Sequence, residues 1–135
     1  MTLPLPLRVL FIAHGAVTAA AGVALIVSPA LVPSAVGIVL PPDANLLSYL
    51  LGAVELAVAV LSVAAVRMSD APTIRLIAVV FVVMHLVTAA VEVLAIVQGT
   101  SPLLWGNVAL RLIVAALFLV VVRVSTATSH RAASG

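Results

Sequence analysis

Four long apolar runs, separated by residues that stop helices, organise the chain. The first extends from about Leu7 to Val27 and stops at Ser28-Pro29, and the second extends from about Leu46 to Val66 and ends at Arg67. A third covers about Thr73 to Val97 after the turn Met68-Ser69-Asp70-Ala71-Pro72, and a fourth runs from Leu103 to Val122 and closes at Arg123. Each is about 20 residues long, enough at ~1.5 Å per residue to cross ~30 Å of hydrocarbon. The short connections after the second and third runs force antiparallel neighbours. The pattern therefore predicts an all-α integral membrane protein, an up-and-down four-helix bundle forming a single domain over residues 1–135. Residues 28–45, SPALVPSAVGIVLPPDAN, are Pro-rich yet still apolar. They read as an outer loop or short helix lying at the membrane surface, a candidate lid, and residues 124–135 read as a tail.

The polar positions inside these runs follow the helical repeat. In the third span His85, Thr88 and Glu92 are separated by three and four residues and share one face. In the second, Ser48, Gly52, Glu55, Ala59 and Ser62 form a similar stripe, whose small members let a neighbour approach closely. His14 and Thr18 make a shorter stripe in the first span, and Asn107 stands one turn from Arg111 in the fourth. Each span thus has a polar edge, and these edges are expected to face one another instead of lipid. Depth counting puts Glu55 and His85 near mid-membrane, with Glu92 about 8 Å and Arg111 about 12 Å inside the surface near the 98–102 turn. An unpaired charge in hydrocarbon costs several kcal/mol, so an Arg111–Glu92 ion pair is expected. The same count separates His14 from His85 by about 8 Å in depth.

Composition agrees with this architecture: 65% of the 135 residues are hydrophobic and 7% charged, with no cysteine. Disulfides, thiol nucleophiles, iron–sulfur clusters and zinc–thiolate sites are thereby excluded. The basic residues are six arginines spread thinly at segment ends, so nucleic-acid binding has no support. Arg8, Arg67, Arg75, Arg123 and Arg131 fall on the side holding both termini, opposite Asp43. The positive-inside rule then predicts a multi-pass protein of the cell membrane with both termini cytoplasmic. The first apolar run exceeds a signal-peptide core and is preceded by Pro4 and Pro6, so it is expected to remain as a span. Tyr49 and Trp105 fall where an interfacial aromatic belt belongs.

The buried polar set admits two readings. In one, the Arg111–Glu92 bridge and a protonated Glu55 simply hold helices together. In the other, four ionisable groups exceed what one bridge requires and form a site for a lipophilic small molecule. Glu55, His85 and Glu92 are the candidates for cofactor-free acid/base catalysis, namely isomerisation, epoxide opening or cyclisation. Arg111, Asn107, Thr88, Thr18 and His14 are the candidates for holding the substrate. A proton-coupled carrier of the small multidrug-resistance type is a further class, although those carriers have their Glu in the first helix. No metal site is expected, because the spacing of His85 and Glu92 differs from the Glu-x-x-His pairs of di-iron bundles. A bis-His haem would need His14 and His85 at one depth.

The stretch LLGAVELAVAVL at 50–61, with Gly52 and Glu55, together with the four spans, resembles the DoxX-like group of small bacterial membrane proteins. That resemblance implies a four-helix membrane fold and an accessory role beside a larger oxidoreductase or in quinone chemistry; His85, Glu92 and Arg111 are not part of its pattern. The Ala, Val and Arg bias without Lys fits a GC-rich actinobacterial coding sequence. Small residues, Gly or Ala, on every span also allow a homodimer, and membrane lipid is an expected partner.

Overall fold

A computed structural model describes residues 3–133, except for the side chains of residues 121, 122 and 124–133. Helix α1 covers Leu5–Val27, the short α2 Leu31–Ala35, α3 Asn45–Ala65, α4 Ala71–Val97 and α5 Leu104–Ala133, with a 3-10 turn at Pro42–Ala44. No strand is present among the described residues. Three helical segments, Leu5–Val27, Pro42–Ala65 and Ala71–Val97, are long and apolar enough to cross a membrane, and α5 adds the shorter apolar stretch Leu104–Val120. The protein is a small multi-pass helical membrane bundle. The first three expected spans agree with the helices to within two residues at each end. The fourth differs: its helix does not close at Arg123 but runs on to Ala133, through the segment expected to be a tail. Residues 134 and 135 of that segment lie outside the described residues.

Local chemistry sets the helix ends. Pro6 and Pro72 lie in the first turns of α1 and α4, where a missing N–H leaves no broken bond. Asp70 caps α4 by accepting the Thr73 N–H at 3.0 Å, and the Thr73 hydroxyl donates to the same carboxylate oxygen. At the other end of α4, Gly99 takes a left-handed φ of +92°. Its N–H reaches the Ile96 carbonyl and that of Thr100 the Ala95 carbonyl, each at 3.0 Å, closing a Schellman turn. The 28–45 segment folds down on the loop end of the bundle. Ser48 Oγ donates to the Pro29 carbonyl at 2.9 Å, and a Cβ on Gly37 would lie 2.7 Å from Ser101 Oγ, so the segment rests on the α4–α5 turn.

The long helices form two close pairs, α1 with α3 and α4 with α5. In the first pair Gly22 and Gly52 face each other, and a Cβ on either would come within 2.8 Å of the other's carbonyl oxygen. Lipid offers no hydrophobic incentive for helices to associate, so this backbone proximity supplies the packing that joins α1 to α3. The two pairs meet through large rings. Phe11, Phe81 and Phe118, from α1, α4 and α5, are fully buried and pack edge-on with centroids 5.3 to 6.1 Å apart. Ile74, Ile77, Ala78, Ala65 and Ala115 complete that core. Val9, Val60, Leu76, Val87 and Ile113 are exposed on the outside, where a soluble protein would carry charge. Tyr49 and Trp105 are likewise exposed, near the loop end.

Gly22→Ala and Gly52→Ala should each destabilise the bundle by about 1–3 kcal/mol through overpacking, read as a lowered unfolding midpoint in detergent. Gly106→Ala is the control: nothing lies within 4 Å of its added methyl, so the change should be neutral or slightly stabilising.

The Thr73 hydroxyl, and then its N–H, hold the Asp70 carboxyl below the ordinary aspartate value. A lowered folded-state pKa means that the cap stabilises fully above the ordinary value of about 3.9 and is lost as pH falls through the lower folded value. Amide exchange at Thr73, corrected for its intrinsic pH dependence, should lose protection in that acidic window. Asp70→Ala should lose it at every pH, whereas Asp70→Asn should keep most of it.

Candidate functional site

Two polar clusters stand inside the bundle, one within the α4–α5 pair and one between the pairs. The first joins α4 to α5. Arg111 Nε donates to Glu92 Oε1 at 2.9 Å, and Asn107 Nδ2 donates to the same oxygen at 2.6 Å. The expected ion pair is therefore present, and the one-turn spacing of Asn107 and Arg111 brings both donors to one acceptor. The contact is a single bond through Nε instead of a two-pronged fork, and the terminal guanidinium nitrogens make no hydrogen bond among the described residues. Glu92 Oε2 is buried without a hydrogen-bond partner among those residues.

The second cluster joins α1, α3 and α4. His14 Nδ1 lies 2.8 Å from Ser62 Oγ, and His14 Nε2 lies 3.0 Å from His85 Nε2. Two ring nitrogens at that distance need one proton between them, with one ring donating and the other accepting. If His14 donates, its Nδ1 accepts from the Ser62 hydroxyl and the neutral His85 carries its proton on Nδ1. If His85 donates, those roles invert along the whole Ser62–His14–His85 line. His85 Nδ1 is itself buried without a hydrogen-bond partner among the described residues. His14 also packs against Phe81 and Phe118, with centroids 4.7 and 5.3 Å away, so the aromatic wedge fixes its ring.

This contact corrects the expected depth difference between the two histidines. Helix α4 is longer than α1, so depths reckoned from the ends nearer the N terminus differ. From the loop end, His14 stands thirteen residues before Val27 and His85 twelve before Val97, which puts them level. The depth objection to a shared ligand therefore fails. At 3.0 Å the nitrogens are nonetheless at hydrogen-bond separation, whereas the two opposed axial positions of a bis-His haem, with metal–nitrogen bonds of about 2.0–2.1 Å, would hold them roughly 4 Å apart. No group of three or more His, Asp or Glu side chains among the described residues is placed to hold a metal ion.

A cavity of about 290 Å3 connects the clusters. His14 and Thr18 of α1, Glu55 of α3, His85 of α4, and Asn107 and Arg111 of α5 all line it. Six of the eight residues singled out in the sequence thus share one space. Glu92 stands behind Arg111 and is not part of the lining. Thr88 is also outside it, with its hydroxyl donating to the Met84 carbonyl at 2.7 Å. Thr18 lines the cavity, but its hydroxyl donates to the His14 carbonyl at 2.9 Å. Glu55 is half-buried, makes no hydrogen bond among the described residues, and lies within electrostatic reach of Arg111. Ser62 was legible as a member of the α3 stripe, but its pairing with His14 depends on how α1 rotates against α3.

The remaining walls are apolar and come from α1 and α5, among them Val17, Leu110 and Leu117. Val17 is also 63% and Leu110 52% exposed on the outer surface, so the cavity opens sideways between these two helices. No protein-family model, no curated protein and no solved structure matches the chain. The fold defines a multi-pass helical membrane protein, with a largely apolar cavity into which a few polar side chains from four helices project.

Arg111→Met alone strands the Glu92 carboxylate, which should cost up to about 3 kcal/mol. Arg111→Met combined with Glu92→Leu should recover much of that loss. Unfolding midpoints of the two variants in detergent provide the comparison.

Proposed function

We propose that this protein binds the oxygen-bearing head of a lipophilic small molecule in the lateral cavity and acts on it by cofactor-free acid/base chemistry. One observation carries the reading: Glu55, His14, His85 and Arg111, from four different helices, line a single space whose other walls are apolar and open to lipid. At about 290 Å3 the cavity is at the small end of ligand sites, so it takes a head group while the hydrocarbon tail stays in the membrane. The free guanidinium nitrogens of Arg111 hold a substrate oxygen and stabilise negative charge that develops there. Glu92 fixes the guanidinium from behind, and Asn107, itself in the lining, donates to the same carboxylate oxygen. Glu55, without a hydrogen bond of its own, gives or takes the proton at the substrate, and His85, backed by His14 and Ser62, does the complementary transfer. Isomerisation, epoxide opening and cyclisation are the reactions that such a set serves. A carrier of hydrophobic cations fits less well, because the Arg111 charge faces the same space as Glu55. The arginine-rich end that holds the N terminus is assigned to the cytoplasm of a cell-membrane protein by the positive-inside rule.

Comparing the lipophilic metabolites of membranes holding the wild type or a variant tests this. Glu55→Gln and His85→Ala should each slow a wild-type-dependent conversion by about 10²–10⁴-fold while the protein remains folded. Unchanged turnover in both folded variants would remove the catalytic assignment.

A further inference from the structure

At the end of the bundle opposite α2, a second cleft of about 670 Å3 lies where α1 begins and α3 ends. Arg8 from the first turn of α1 and Arg67 from the turn after α3 both line it, with Ser69 beside them. Neither guanidinium forms a hydrogen bond or ion pair among the described residues. Asp70, the neighbouring carboxylate, is already engaged by Thr73. The cleft is thus a place where two cations converge without a counter-charge, and its complement is an anion. Its apolar walls narrow the choice. Ile12 lies four residues deeper than Arg8 along α1, and Val63 four residues deeper than Arg67 toward the middle of α3. Both are exposed on the outer surface. On each helix, therefore, a charge at the membrane edge is followed one turn inward by an apolar side chain facing the hydrocarbon. That is the polarity of a phospholipid.

We propose that this cleft is a binding site for an anionic phospholipid. Arg8 and Arg67 grip the phosphate oxygens through their planar donor forks, the Ser69 hydroxyl adds a donor, and an acyl chain lies along Ile12 and Val63. A free phosphate shares the head-group chemistry but has nothing to place against the apolar walls. The test uses the full chain in a neutral detergent, with the unfolding midpoint and native mass spectrometry as readouts. Phosphatidylglycerol should raise the midpoint and stay bound, whereas phosphatidylcholine and inorganic phosphate should do neither. Arg8→Gln and Arg67→Gln should each weaken phosphatidylglycerol binding roughly fivefold. Arg75→Gln removes the same charge from the same end but outside the cleft, and should change binding by less than about twofold. Arg67 is exposed in a turn, so its variant carries the test should Arg8→Gln not fold. Three results would overturn the proposal: an Arg75→Gln loss as large as the other two, which means diffuse attraction; stabilisation by inorganic phosphate equal to that by lipid, which means a soluble anion; and no response to phosphatidylglycerol.

Discussion

Three phenylalanine rings set the distance between the halves of this protein. Gly22 and Gly52 let α1 and α3 touch backbone to backbone, while Phe11, Phe81 and Phe118 hold that pair and the α4–α5 pair apart at a separation only large side chains can fill. The lateral cavity lies beside this wedge, lined by His14, Glu55, His85 and Arg111 from the four long helices. Its polar lining is tolerated there because the groups face a gap instead of being pressed against acyl chains.

Hydrogen bonding is distributed unevenly within that gap. His14 uses both ring nitrogens, and Glu92 Oε1 accepts two donors. Among the described residues His85 Nδ1 and Glu92 Oε2 have no hydrogen-bond partner, and Glu55 has neither a hydrogen bond nor full burial. A purely structural cluster gains most from complete mutual satisfaction, since an unmet buried polar group costs about 1–3 kcal/mol. The fully bonded members fix their neighbours in place, and of the less satisfied ones His85 and Glu55 lie beside the space a ligand would enter, while Glu92 stands behind Arg111. This division of labour underlies the functional reading. At the opposite end, Arg8 and Arg67 show the same imbalance with the sign of charge reversed.

Much of this was legible in the chain itself. Continuous apolar runs dictate helices that cross lipid, because backbone groups in hydrocarbon must bond within their own segment. The three-and-four spacing of polar residues named the inward faces, and the cost of a lone charge in lipid foretold the Arg111–Glu92 pair on adjacent antiparallel helices. Those inferences are local, or concern neighbours joined by a short turn. What crosses the bundle was not available from spacing. The His14–His85 contact depends on which ends of α1 and α4 are level, and these helices differ in length and are not sequential neighbours. The Ser62 partnership, the exclusion of Thr88 and the sideways mouth between α1 and α5 depend on helix rotation and splay. Side chains at the inter-pair contact decide these, and no single span encodes them.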